Sequence, residues 1–247
     1  WQVQRHTTLT VQAVVESALS RVAAHQVRVV CAGRTDSGVH AAGQVVHFDT
    51  DARRDPRNWV LGANVNLPPE VAVNWALPVD DAFHARFSAE SRRYCYLILN
   101  RATRSSLLSR RATWEHRPLD ADTMHQAGRA LVGTHDFSSY RAQACQAKSP
   151  VRTVHSLHVR RHGELIELRV HANAFLHHMI RNIAGVLLAI GRGEKSAGWA
   201  AEILAVRDRR QGGVTARPDG LYFERVHYPA QFAIPDPPLV PIVPIAT

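Results

Sequence analysis

Lysine is almost absent from this chain of 247 residues: of its 30 cationic side chains, only Lys148 and Lys195 are lysine and the rest are arginine. Cysteine is nearly as scarce. Cys31, Cys95 and Cys145 are scattered and odd in number, which excludes a disulfide framework and a paired-cysteine zinc site and suits a reducing cytoplasm. No apolar run approaches the roughly 18 residues of a membrane span, and no signal peptide is visible. There is no GxxxxGK[ST] and no strand-linked GxGxxG, so a nucleotide cofactor has no support. Fifteen histidines suggest metal, yet HExxH is missing and His135-Asp136 stands alone. His177 and His178 are adjacent, which on a helix points them apart, so no metal is expected.

What is present is a positive excess: 30 cations against 21 anions, +9 in all, with a sequence pI near 10.3. It is evenly spread, with 15 cations and 11 anions up to Asp120 and 15 and 10 beyond it. This is therefore not a neutral protein with a basic tail. Arginine pairs and triplets recur at Arg53-Arg54-Arg57, Arg92-Arg93, Arg110-Arg111, Arg160-Arg161 and Arg207-Arg209-Arg210. The guanidinium fork matches phosphate oxygens, so a polyanion partner is one reading and a solvated arginine-rich surface is the other. With 45% apolar residues the chain can bury an ordinary core.

Val11, Val14, Val15, Ala18, Leu19 and Val22 keep one helical face. The runs VRVVCAG (27–33) and GQVVHFDT (43–50) read as strands around the polar loop RTDSGVH. A helix is expected near Pro56–Asn64, a strand at 71–78, and another at 92–100, where Tyr94, Tyr96 and Ile98 share a face. The second half predicts a helix from Asp120 to Val132, a loop through 135–150 and two strands around Gly163. A long helix over Asn173–Gly191, a short one near 197–206 and a strand near 221–228 follow. The proline-rich tail 233–247 reads as extended. Helices with mainly antiparallel strands in each half make the class α+β.

Two local features could carry chemistry. CAGRTDSGVHAAGQ (31–44) brings Arg34, Asp36 and His40 together among glycines that let backbone approach a ligand. A carboxylate at a sheet end can act as nucleophile or base, although Asp-Ser-Gly is also ordinary turn chemistry. The second is Arg181 on the apolar 173–191 helix, with His177 one turn earlier. A cation there either pairs with a carboxylate or phosphate or snorkels to the surface.

CAGRTDSGVH closely resembles the catalytic motif of the TruA-type tRNA pseudouridine synthases. The resemblance continues in order through GQVVHF, ANVNLP, DDAFHARFSA, RRYCYLI, HDFSSYR, NAFLHHMIRNIAGVLL and DGLYFERVHYP, nearly the whole chain. It implies two α+β domains, each distantly like an RNA-binding sheet module, flanking an active-site cleft: residues 1–89 and 90–232, followed by the tail. It also implies a cytoplasmic, cofactor-free homodimeric isomerase that converts uridine to pseudouridine in the anticodon arm of tRNA. By motif, Asp36 would be the nucleophile, Tyr94 would contact the target base, and Arg181 would pair with Asp36. Arg34, Arg54, the segment Phe83, His84, Ala85, Arg86 and Phe87, and the loop Ala144, Cys145, Gln146, Ala147 and Lys148 would contact RNA. Family chains carry a strand and a tyrosine- and glycine-rich turn ahead of the position of Trp1, so the sequence reads as a fragment. Two other readings are a non-catalytic RNA-binding protein on the same fold and a histidine-based metal-dependent hydrolase.

Overall fold

The computed structural model describes residues 1–3 and 10–236. The fold is α+β, and the chain divides into two compact units. Among the described residues the first comprises 1–3, 10–37, 44–89 and 226–236, and the second 38–43 and 90–225. Neither unit is continuous in sequence. The expected extended tail falls mostly at 237–247, outside the described residues; 233–236 form no regular element.

In the first unit, helix α1 (Val11–Ala23) starts where the Thr10 hydroxyl accepts from the Ala13 amide, and it ends at Ala24 in a left-handed conformation. Helix α2 (Pro56–Asn66) has Asp55 as its cap and proline at its first turn. Val15, Leu19, Val27, Val29, Trp59 and Ala63 form the core between them, with Phe48 edge-on to Trp59. The two long runs expected as strands pair only briefly, β1 (Val30–Cys31) with β3 (Val46–His47), antiparallel. The strand expected at 71–78 is absent. Val73 exchanges both its backbone hydrogen bonds, each 2.8 Å, with the side-chain amide of Asn64. An asparagine on α2 thus takes the place of a neighbouring strand.

The second unit is built on a seven-stranded sheet. Its strands are β2 (His40–Ala41), β4 (Ser91–Asn100), β5 (Thr113–Glu115), β6 (Gly133–Asp136), β7 (Val151–His162), β8 (Leu165–Ala172) and β9 (Leu221–His227). The order is β2-β9-β4-β8-β7-β6, with β5 off β4. β4, β8, β7 and β6 are successively antiparallel, while β2 lies parallel to β9 and β5 parallel to β4. β5 and β6 are too short to show a period, and the sequence did not announce them. Helices α3 (Ala121–Gly128), α4 (Met179–Gly191) and α5 (Trp199–Val206) supply the core with Tyr96, Ile98, Leu157, Ile166, Leu168 and Val170 of the sheet. The opposite sheet face buries Cys95, Leu97, Leu99 and Tyr222.

Helix α4 is shorter than the 173–191 expected. His178 stands at its start with φ 61°, so Asn173–His178 is an irregular approach rather than helix. His177 and His178 therefore do not point apart: their rings lie 4.0 Å centroid to centroid. Nor does His177 share a helical face with Arg181.

Candidate active site

The loop carrying Asp36 rises from a closed base in the first unit. The Ala32 amide donates to the Val45 carbonyl at 2.9 Å. The Gln44 side-chain amide then pairs with both backbone groups of Gly33, donating to its carbonyl (2.6 Å) and accepting from its amide (3.3 Å). The Trp1 backbone nitrogen donates to the Thr35 carbonyl at 3.0 Å. Above this base Asp36 is half-buried and Arg34 exposed.

The loop leaves through Gly38, at φ +80°, a conformation that a side chain rarely adopts; a Cβ there would also meet the Pro218 ring at 3.0 Å. The chain then becomes β2, with His40 opposite Tyr222 and Ala41 opposite Phe223. The amides of Ala42 and Gly43 both donate to the Phe223 carbonyl. A Cβ on Gly43 would collide with the Glu224 carbonyl, so glycine is what lets β2 lie against β9. What reads as loop in the sequence is thus loop followed by a short strand.

His40 has a packing role here. Its ring stacks on Tyr222 at 4.7 Å and 18°, and its Nε2 donates to the Arg110 carbonyl at 2.6 Å. The Tyr222 hydroxyl donates to the Arg111 carbonyl, and burial pushes this phenol up to about 12. Both groups serve as donors that hold the strand.

Tyr94 and Tyr96 share one face of β4 but differ in surroundings. Tyr96 is fully buried, its hydroxyl shared with Thr113 (2.6 Å) and donating to the Arg217 carbonyl (2.8 Å). Burial raises its phenol well above the usual tyrosine value. Tyr94, opposite Val170, is only half-buried. Its ring meets Phe175 edge-on at 5.0 Å and Phe223 at 4.9 Å. Phe223 is the register partner of Ala41, so β9 stands between the strand that leaves the Asp36 loop and the strand that bears Tyr94.

Arg181 is the third residue of α4 and half-buried. Its Nε donates to the Ala216 carbonyl (2.8 Å), while its own carbonyl accepts from the Ala216 amide (3.0 Å). The guanidinium is therefore oriented by a fixed segment and does not snorkel freely.

The remaining candidates are less uniform than their sequence blocks. Phe83 is 6% exposed, between Tyr228, Phe232 and His47, and Ala85 is fully buried. The Ala85 amide donates to His47 Nδ1 and its carbonyl accepts from Tyr228. Burial, then neighbouring His84, lowers the His47 imidazole, which keeps it the neutral acceptor. Phe87 is 76% exposed, stacked on His84 at 4.3 Å with the Arg86 guanidinium 5.5 Å from its centroid. His84 Nδ1 accepts the amides of both Arg86 and Phe87 at 3.1 Å, which holds this stack. Arg54 is exposed, its Nε 3.4 Å from the Val22 carbonyl. In the 144–148 loop, Ala144, Gln146 and Lys148 are exposed, whereas Cys145 and Ala147 pack against the core. The loop is tied down where the Ala142 amide donates to the His177 carbonyl at 2.9 Å. Gln44, Phe223 and Ala216 were missed from sequence: an anchoring glutamine, a strand phenylalanine and a carbonyl have no local signature.

A family model described as tRNA pseudouridine synthase matches residues 1–88 and 127–229. A protein of Nitrosococcus oceani called tRNA pseudouridine synthase A is 60% identical over 235 residues, which is 95% of this chain and 90% of that one. Proteins of the same name from Alcanivorax borkumensis and Pseudomonas aeruginosa are 55% and 56% identical, over 98% and 96% of this chain and 91% and 83% of their own lengths. Matched across both of its units, the chain belongs to the tRNA pseudouridine synthase family, of the TruA type, and is an isomerase.

Proposed function

We propose that this enzyme isomerises uridine to pseudouridine in the anticodon stem-loop of tRNA, with Asp36 as nucleophile and no cofactor. It acts in the cytoplasm as a homodimer whose RNA-binding α+β domains grip the tRNA arm. The reaction breaks the N1–C1′ bond, turns the uracil, and joins C5 to C1′; the C5 proton leaves and N1 takes up a proton, so nothing is consumed. Asp36 acts ionised, either at C1′ or at C6 of the ring. Arg181 pairs with it through the guanidinium, whose fork matches a carboxylate. A base in a stem must first leave its stack, at a cost of a few kcal/mol that backbone contacts offset. Tyr94 then offers the extruded base a ring face, a contact of about 1–3 kcal/mol by analogy with base stacking. Arg34, Arg54, the Arg86–Phe87 stack and the 144–148 loop contact the RNA.

The observation that carries this reading is the build of the Asp36 loop. Its base is closed by Gln44, and its exit strand lies on β9 beside the Phe223 ring that touches Tyr94. A mere turn needs none of this anchoring. The test is tritium release from anticodon-arm tRNA labelled at uracil C5. Asp36→Asn is expected to abolish release while tRNA binding stays within a few-fold; full turnover by this variant would refute the mechanism.

A further inference from the structure

Helix α4 buries apolar residues at nearly every position, with one exception beside Arg181. Asn182 is 2% exposed and is the one polar residue among the buried side chains of this helix. Burying an amide is costly unless its hydrogen bonds are made. Here they are: Nδ2 donates to the Tyr140 carbonyl (2.8 Å), and Oδ1 accepts from the Thr215 hydroxyl (2.7 Å) and Arg209 Nη2 (3.1 Å). Arg209 Nη2 also reaches the Thr215 hydroxyl at 3.0 Å. The amide thereby clips the 209–215 segment onto the helix.

That segment continues directly into Ala216, whose carbonyl and amide hold the side chain and backbone of Arg181. On the far side of Ala216, the Arg217 carbonyl accepts from the fully buried Tyr96 hydroxyl. Ala216 is therefore pinned from both neighbours: through Thr215 to α4, and through Arg217 to β4. The approach is close as well. A Cβ on Gly185, one turn along α4, would collide with the Val214 carbonyl. An apolar residue at 182 would leave the Tyr140 carbonyl, the Thr215 hydroxyl and Arg209 without this partner, at a cost in stability, so a positioning role has to be read from turnover rather than from melting.

We propose that Asn182, acting through Thr215, is a positioning residue that fixes the Ala216 carbonyl and so the orientation of the Arg181 guanidinium. This rests on the reading of Arg181 as the partner of Asp36. A misplacement of about 1 Å in a supporting shell is enough to cost activity while leaving substrate binding alone.

The experiment compares Thr215→Val, which keeps shape and removes the hydroxyl, with Thr215→Ser, which restores it, and with Arg181→Gln. Each is assayed for kcat and KM by tritium release from tRNA, with thermal melting alongside. Thr215→Val is expected to lower kcat about tenfold or more with KM within twofold, and Thr215→Ser to return kcat to within about twofold of the parent. A lowered melting temperature with kcat unchanged in Thr215→Val, while Arg181→Gln loses turnover, would overturn the positioning role and leave the reading of Arg181 standing. Full turnover in Arg181→Gln would overturn both.

Discussion

At Phe83 and Phe87 the same residue type, four positions apart, meets opposite surroundings. Phe83 sits among three aromatic rings, and Phe87 stands in solvent on His84 with Arg86 beside it. Phe83→Ala is expected to cost about 3–5 kcal/mol in chemical denaturation, as for other buried phenylalanines. Phe87→Ala should change stability by less than about 0.5 kcal/mol, but weaken tRNA binding by about 1–3 kcal/mol if a base stacks there. Equal effects of the two on folding would contradict this division. The sequence block FHARF identifies the segment without distinguishing its members, because the burial of Phe83 depends on Tyr228 and Phe232, which arrive from 145 and 149 residues downstream. His40 gives the same lesson. Its place beside Asp36 in the motif suggests chemistry, yet its ring and Nε2 are committed to Tyr222 and Arg110.

At the scale of elements, helices were the most legible. The apolar face from Val11 to Val22 is a local signal and α1 forms on it; α2 and α3 begin where helices are expected, near 56 and 120, although α3 ends at Gly128 and passes into a 3-10 turn at Arg129–Leu131. Strands were less legible, because a strand needs a partner as well as a pattern. The 71–78 run has the pattern but meets Asn64, while His40–Ala41 lacks the length but meets β9. Gly43 makes that meeting testable. Gly43→Ala drives a methyl into the Glu224 carbonyl, and displacing β2 is expected to cost about 1–3 kcal/mol and most turnover. Gly163→Ala is the control: its φ of +56° costs about 1 kcal/mol, nothing lies within 4 Å, and activity should survive. Equal turnover in the two variants would remove β2 from the account.

For the whole molecule, charge governs two responses. Each unit buries a carboxylate on which opposing effects act. Burial alone would raise Glu16, but hydrogen bonds from Gln12, the Val29 amide and Arg28 outweigh it and hold the carboxyl below its usual value. Glu115 is likewise raised by burial and lowered further by Arg117 and Arg192. Groups lowered on folding stabilise the protein above their unfolded value and cease to do so as pH falls through the folded one. The melting temperature is therefore expected to decline modestly as pH falls from 7 towards 5, where the lowered His47 imidazole resists protonation in the folded state, and to fall more steeply below about pH 4. A rise on acidification would contradict it. The second response is to salt: if the arginines contact phosphate, log affinity for tRNA should fall against log salt by about 0.7–0.9 per contact. A flat line would remove the phosphate contacts.

The amino-acid sequence by itself determined the class, the helices, the arginine-borne charge and the order of motifs that marks the family, because these depend on neighbours within a few residues or on residue identity alone. Tertiary structure decided what those residues do. It made Tyr96 core and Tyr94 half-exposed, gave β2 its partner, brought His177 and His178 together at a turn rather than apart on a helix, and set Ala216 against Arg181. Apart from the adjacent histidines, whose turn follows from where α4 begins, each of these is a contact between distant stretches of chain, where burial and hydrogen-bond partners are settled by packing that no local pattern encodes.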